Sequence, residues 1–357
     1  MNLLYSHVEE SLRDSLRDLL RARATAGAPG GDGGFDAETW RLLAVELGVA
    51  GLVVPEELGG AGASLREAAL VMEELGRFLA PVPYLGCAVM AATALRVAGD
   101  TALLARIADG SACVALAVPF AGTPATIEVA DGVLTGRVGS VADAVAADVL
   151  LVPAGGDLYE VAAEGPGVVR TAVVSLDETR PLVDLALSAA PGRRIGPAPG
   201  ALAAARTAGA ALLASEQLGV AEWCLDTTVA YAKTRFQFGR PIGSFQAIKH
   251  RLADVWVSVA QARAVARYAA GAVSGVDLAG PEPRLAAALA QAHCGPVAVR
   301  AAEECVQLHG GIGFTWEHPA HRYLKRAKTT SIALGTAAAH RAELAGLLDL
   351  PIAPGSR

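Results

Sequence analysis

The chain has 357 residues, 53% hydrophobic and 18% charged, and a formal net charge of −6 at pH 7. That length suits two or three domains. The acidic balance, with basic residues dispersed except near 322 to 328, argues against nucleic acid as the main partner. No apolar run reaches the ~18 residues of a membrane span. The start MNLLYSHVEESLRDSLRDLL is broken by charges too often for a secretory leader, so a cytoplasmic protein is expected. Cys87, Cys113, Cys224, Cys294 and Cys305 are odd in number and lack CxxC spacing, which suggests buried free thiols rather than disulfides or zinc.

Taken in order, Val8, Leu12, Leu16, Leu19 and Leu20 form an amphipathic stripe over residues 6 to 24, and TAGAPGGDGG then breaks the helix. Asp36 suits the N-cap of a helix through Leu47, and a glycine-punctuated loop leads to a helix from Ser64 to about Leu79. From Cys113 to Ser188 the chain reads as short β segments: CVALAV, TIEV and VLTGRV across Asp131-Gly132, DVLLVPA and LYEVA across Gly155-Gly156-Asp157, VVRTAVVS and LVDLALS. Asp-Gly between two β-branched runs signals a hairpin, so an antiparallel sheet domain is expected. Helix returns over 205 to 233, from Phe245 with the stripe Ile248, Leu252, Val255, Val259, Ala262 and Ala266, over 284 to 308 with Pro296 as a kink, and from about Pro319. The tail PIAPGSR is expected to fray. The fold class is mainly α with a central β domain: an N-terminal helical domain (1–110), an antiparallel β domain (111–200) and a C-terminal four-helix bundle (201–350).

Two stretches obey no simple period. TRFQFGRPIGSFQ (234–246) lies in a region without Asp or Glu from 227 to 253, where Lys233, Arg235, Arg240, Lys249 and Arg251 surround glycines that permit close backbone approach. An anionic phosphate group would suit it; so would an ordinary helix connection whose phenylalanines fill the core. QLHGGIGFTWEHPAHRYLKRAK (307–328) opens with Gln307 and the pair Gly310-Gly311, a C-cap or a ligand contact. No strand precedes those glycines, so a Rossmann turn does not fit. Of His309, His318 and His321 only the last two share helical spacing and no cysteine or carboxylate cluster completes a site, so no metal is expected.

Together YAKTRFQFGRPIGSFQAIKHRLAD, QLHGGIGF some sixty residues on, and the early GLVVPEELGGAG resemble the acyl-CoA dehydrogenase family over nearly the whole chain. The resemblance implies FAD, an acyl-CoA substrate, electron-transfer flavoprotein as acceptor, and tetramers in which the flavin straddles two subunits. One β domain would hold the isoalloxazine and the neighbour's bundle the pyrophosphate and adenosine. By position, Arg235 would pair with the pyrophosphate, Phe238 would pack on the cofactor and Gln246 would bond near the adenosine. Gln307, Gly310 and Gly311 would form the other wall.

The same resemblance exposes losses. The family's general base is a glutamate, and its two known positions hold Leu334, in IALGT, and Gly209. The flavin-contacting Thr-Glu-Pro loop appears as AVPFAGTPATIEV, and no tryptophan lies between Trp40 and Trp223. The frequent Arg-Asp-Ala-Lys appears as Lys325-Arg326-Ala327-Lys328, read as a solvated helix face or as a CoA or subunit contact. The half of the FAD site lent to a neighbour is retained and the half a chain uses itself is degraded. This implies an α2β2 heteromer with a homologous, base-bearing acyl-CoA dehydrogenase subunit, of the kind acting on bulky steroid side-chain esters. The alternatives are a self-sufficient flavoenzyme using Glu317 or a histidine, and a non-enzymatic relative of the fold.

Overall fold

The computed structural model describes residues 3–25, 34–123, 125–275 and 277–349. Most of the expected break at TAGAPGGDGG, and the tail from 351, lie outside the described residues. The first 110 residues are helical: α1 (His7–Thr25), α2 (Ala37–Arg41) running into a π-helical turn (Leu42–Glu46), α3 (Leu65–Phe78), a π-helical segment (Leu85–Ala91) that continues as α4 (Ala92–Ala98), and α5 (Thr101–Ala108). Local chemistry sets the ends. Asp36 accepts the Thr39 N–H, and Ser64 with Glu67 forms a reciprocal capping box for α3. In α1 the stripe holds at Leu12, Leu16, Leu19 and Leu20 and fails at Val8. Val8 is exposed and Glu9 buried, because Glu9 accepts the Ser6 N–H at 2.6 Å and pairs with Arg66 at 2.5 Å.

Eight strands then form two sheets: β1 (Val114–Leu116), β4 (Val149–Ala154), β5 (Asp157–Ala162) and β8 (Arg193–Pro197) in one, and β2 (Ile127–Ala130), β3 (Val133–Ala142), β7 (Leu182–Pro191) and β6 (Val168–Val173) in the other. Both expected hairpins form. Ala130 pairs with Val133 across Asp131-Gly132 and Ala154 with Asp157 across Gly155-Gly156, and all four turn residues have positive φ. Two features were not anticipated. The β1–β4 pair is parallel, because β1 arrives from the helical domain rather than from a hairpin. Strand β8 was missed because Arg193 and Arg194 look like loop residues; they face outward on an edge and bond Glu160 and Asp157 of β5. The residues between the two sheets form their own core around Leu134, Val138, Leu150 and Leu185.

The C-terminal part comprises α6 (Ala198–Thr234), a two-residue ribbon of β9 (Phe236–Gln237) and β10 (Arg240–Pro241), α7 (Gln246–Ala272), α8 (Pro281–His309), α9 (Ala320–Thr330) and α10 (Ala337–Leu347). Helix α6 begins seven residues earlier than expected because Pro199 falls in its first turn, where the missing N–H costs nothing. Pro296 does not interrupt α8. The carbonyl it leaves free, that of Ala292, accepts from Arg341 at 3.4 Å. The fourth bundle helix is two pieces, since the chain turns at Leu334 (φ 56) and Gly335 (φ 123).

Helices α3 and α6 cross at glycines. A Cβ on Gly76 would collide with the Glu216 carbonyl, and one on Gly219 with the Glu73 carbonyl. This close crossing joins the N-terminal helices and the bundle into one apolar core. Beside it lies a buried ionic cluster. Arg326 is 1% exposed, not on a solvated face as its basic tract suggested; it pairs with Asp177 and Glu216, and Arg180 forks onto Glu216 at 3.0 and 2.6 Å. The pairs fasten the β6–β7 connection to α6 and α9, and they offset the desolvation of four charges.

Candidate functional site

The ribbon between α6 and α7 is a two-residue reversal. Gln237 pairs with Arg240, and Phe238 (φ 55) and Gly239 (φ 76) are both left-handed. Glycine adopts that conformation freely, whereas an aromatic residue there is strained by about 1–2 kcal/mol. Phe238 bears this strain while 90% exposed, and Phe236 is 62% exposed. These two phenylalanines therefore fill no core, which removes the ordinary-connection explanation for them. Arg235, Gln246, Gln307, Gly310 and Gly311 are exposed as well. The Arg235 N–H donates to the Tyr231 carbonyl at 2.9 Å and its own carbonyl accepts from Ile242, so the residue is anchored through its backbone and its guanidinium is left outward. Gln246 opens α7, whose first turn has neither a side-chain cap nor an acidic residue. Such a helix end favours an anion.

The two motifs, some seventy residues apart in sequence, meet through their helix ends. The Tyr231 ring, one turn before Arg235, stacks at 4.4 Å on His309, the last residue of α8. His309 is fixed beneath by the Cys305 carbonyl, 2.7 Å from Nδ1, and its other face lies 4.2 Å from His318. Gly310 and Gly311 follow directly. Gly310 has a backbone (φ 63, ψ −140) that side chains avoid. Gly311 has no such strain, and a Cβ there would meet no atom of the chain within 4 Å. Gly313 is different, because its Cβ would press on the Val306 carbonyl at 2.6 Å. Gly313 serves packing; nothing in the chain itself requires glycine at 311, and the space in front of it is open. The histidines stack instead of converging. Among the described residues no group of three or more His, Cys, Asp or Glu is placed to hold a metal ion.

The second half of the expected site lies between the first sheet, the π-helical segment and the α9–α10 turn. Leu334 and Gly209, far apart in sequence, meet there: a Cβ on Gly209 would lie 3.1 Å from Leu334 Cδ1 and 3.0 Å from Met90 Cγ. The Leu334 N–H donates to the Phe120 carbonyl at 2.8 Å, and the Phe120 N–H donates to the Ser140 carbonyl at 3.0 Å. The β domain is thereby laced to the turn, with the Phe120 ring buried beneath the Arg180 guanidinium. What remains is a cavity of about 10 Å³ bounded by Leu85, Met90, Phe120, Asp143 and Leu334. That is about the room one water needs.

Asp143 is a residue that sequence reasoning missed. It is buried, left-handed (φ 63), and accepts the Gly86 N–H at 2.8 Å; burial raises its carboxyl pKa above the usual range. The Asp in ADAVAAD carried no periodic signal that could have found it. Glu317 is exposed on the connection before α9 and lines neither cavity that Leu334 borders.

Comparison with known proteins agrees over nearly the full length. Residues 6–111 match the model described as "Acyl-CoA dehydrogenase, N-terminal domain", and residues 201–347 match "Acyl-CoA dehydrogenase, C-terminal domain". Acyl-CoA dehydrogenase IpdE2 of Mycobacterium tuberculosis is 43% identical over 297 residues, 83% of this chain and 82% of that one. IpdE2 of Mycolicibacterium smegmatis is 39% identical over 85% of each. Among solved structures, the ChsE4-ChsE5 complex from Mycobacterium tuberculosis superposes with a TM-score of 0.88 at 30% identity, covering 99% of this chain and 100% of the matched chain.

Proposed function

The chain belongs to the acyl-CoA dehydrogenase family, and from that footing we propose that it is the base-lacking subunit of an FAD-dependent heteromeric acyl-CoA dehydrogenase. It lends the pyrophosphate and adenosine half of the FAD site to a homologous subunit that carries the catalytic glutamate, in an α2β2 assembly. The family is FAD-dependent, and bound FAD supplies the hydride acceptor for α,β-desaturation of an acyl-CoA thioester. The surface residues fit the nucleotide end of that group. The Arg235 guanidinium would take phosphate oxygens as charge-assisted paired hydrogen bonds. Phe238 would cover an apolar face of the cofactor, Gln246 would bond toward the adenosine, and Gln307 with Gly310 and Gly311 would let the backbone approach the dinucleotide.

The observation that carries the proposal is the closed pocket. Leu334, Met90 and Phe120 fill the place where this chain would need room for a flavin ring and a thioester, and neither Leu334 nor Gly209 can accept a proton. Similarity to a chain of the ChsE4-ChsE5 complex, a structure of two named components, supports a two-component assembly. A bulky acyl-CoA as substrate and electron-transfer flavoprotein as acceptor complete the proposal. The test is to purify the chain with and without a genomically adjacent homologue and count flavins. One FAD per heterodimer and almost none on the lone chain are expected. Full flavin occupancy and turnover by the lone chain would overturn the reading.

A further inference from the structure

A second cavity, of about 350 Å³, opens between α6, α8 and α10. It shares only the Leu334 side chain with the closed pocket, and its walls are otherwise small residues of α6 and α8 with Arg206 and Arg284 at the rim. One wall is His340, in the first turn of α10 and 7% exposed. The ring is held in place by Gly335, where a Cβ would come within 2.8 Å of Nε2. Neither Nδ1 nor Nε2 makes a hydrogen bond. The Leu334 carbonyl lies nearby, and the Glu343 carboxylate stands 3.9 Å from Nδ1 but is already engaged by Arg284 at 3.0 Å. Burial first, and the Arg206 charge in addition, keep the imidazole neutral. His340 lines the cavity, and neither ring nitrogen has a hydrogen bond of good geometry, while the Leu334 carbonyl is close enough to favour a proton on one of them. Buried donors and acceptors without partners are costly, and native proteins leave few of them. Arg206 is exposed, and among the described residues its side chain makes no hydrogen bond or ion pair.

We propose that this cavity binds a small organic anion, a carboxylate or phosphate monoester on a short apolar body, with Arg206 and the His340 N–H taking the oxyanion and the alanine-lined walls taking the body. A guanidinium and a neutral imidazole donor suit an oxyanion better than a neutral hydroxyl. The walls of Ala203, Ala210, Ala287 and Ala288 offer an apolar lining, and Thr207 between them adds one hydroxyl. Glu343 does not repel the head, because Arg284 neutralises it. The inference does not depend on where the flavin sits, and it stands whether or not the lone chain binds FAD.

The test is calorimetric titration of the full chain, alone and with its partner, using octanoate, octyl phosphate and octanol. At least one anion is expected to bind one to one, at least tenfold more tightly than octanol; which of the two does so assigns the head group. Arg206→Gln and His340→Phe are each expected to weaken that binding about tenfold. His340→Phe is also expected to raise the thermal midpoint of the ligand-free chain, because it removes the unanswered nitrogens. If His340→Phe does not fold, the imidazole nitrogen resonances of His340 in the unaltered chain decide, and the bound anion must shift them. Anions that bind no better than octanol, binding indifferent to both variants, or unshifted resonances would each mean a merely hydrated cavity and overturn the proposal.

Discussion

Tyr231 and His309 stack at 4.4 Å where the ends of α6 and α8 meet, and this ring contact adds to the wider packing of the two helices. It holds two motifs side by side that the sequence separates by some seventy residues. Arg235 on one side and Gly311 on the other are both exposed. Replacing Tyr231 with alanine is expected to leave the fold intact and loosen FAD in the assembled heteromer, measured as cofactor lost on gel filtration.

On the proposed reading, Arg235→Ala removes the phosphate contact directly. Hydrogen bonds to charged groups contribute about 1.5–3 kcal/mol, so FAD affinity of the assembly is expected to fall at least tenfold. Arg235→Lys is expected to recover only part of it, since an ammonium cannot fork onto two oxygens. Phe238→Gly provides a contrast: it relieves left-handed strain, so the lone chain should gain stability by about 1 kcal/mol while the assembly still loses cofactor. Unchanged flavin titrations for all three variants would remove these residues from the nucleotide site.

Leu334→Glu restores a carboxylate at a family base position. It is expected to give no turnover in the lone chain, because Met90 and Phe120 still fill the pocket and the Phe120 carbonyl still ties down the backbone. Thermal denaturation should show a loss of stability, since the new acid lies in an apolar environment without a partner. Dehydrogenation of an acyl-CoA by this variant alone would contradict the closed-pocket account.

The ionic cluster gives a sharper stability test. Glu216→Gln leaves Arg180 and Arg326 without their shared counter-charge, and breaking a buried pair costs about 3–5 kcal/mol. Urea denaturation should show that loss. Replacing Arg180, Glu216, Arg326 and Asp177 together with apolar residues should cost much less, as none of the four charges is left orphaned.

Glu73 predicts a pH dependence. It lies on α3 beneath Tyr5, whose hydroxyl donates to it at 2.7 Å, with Arg267 on one side and Glu74 and Glu222 on the others. Burial foremost, and then the charge of Glu222, push its carboxyl up to about 7. The folded chain therefore holds a proton that the unfolded chain releases near 4.5. Its contribution is full below that value and declines as pH rises towards 7. Glu73→Gln should flatten the decline, read from urea midpoints between pH 4.5 and 7.5.

The helix crossing is tested by Gly219→Ala, expected to be severely destabilising because the new Cβ meets the Glu73 carbonyl. Gly346→Ala, in α10 with no atom within 4 Å, is the control and should gain about 0.5–1 kcal/mol.

Much of this architecture was legible in the chain. The hairpins at Gly132 and Gly156 were, because left-handed turns demand particular residues. So were the bundle helices, through their periodicity, and the cluster of arginines and glycines at 234–246. Other features depended on distant partners. Arg326 looks like a surface residue until Asp177 and Glu216 are folded against it. Phe120 and Met90 carry no local sign that they will close over Leu334. Asp143 and His340 are isolated polar residues in sequence, and only the enclosure around each gives it meaning. Strand β8 was hidden by its two arginines, which pair across an edge instead of alternating with apolar residues.

The exposed rings of Phe236, Phe238, Phe314 and Trp316 have one more consequence. A polypeptide displaying so much bare aromatic surface is prone to clump when made in excess of whatever covers it. On the heteromer reading, a cell would do best to make both gene products in step, and heterologous production should start from a bicistronic plasmid.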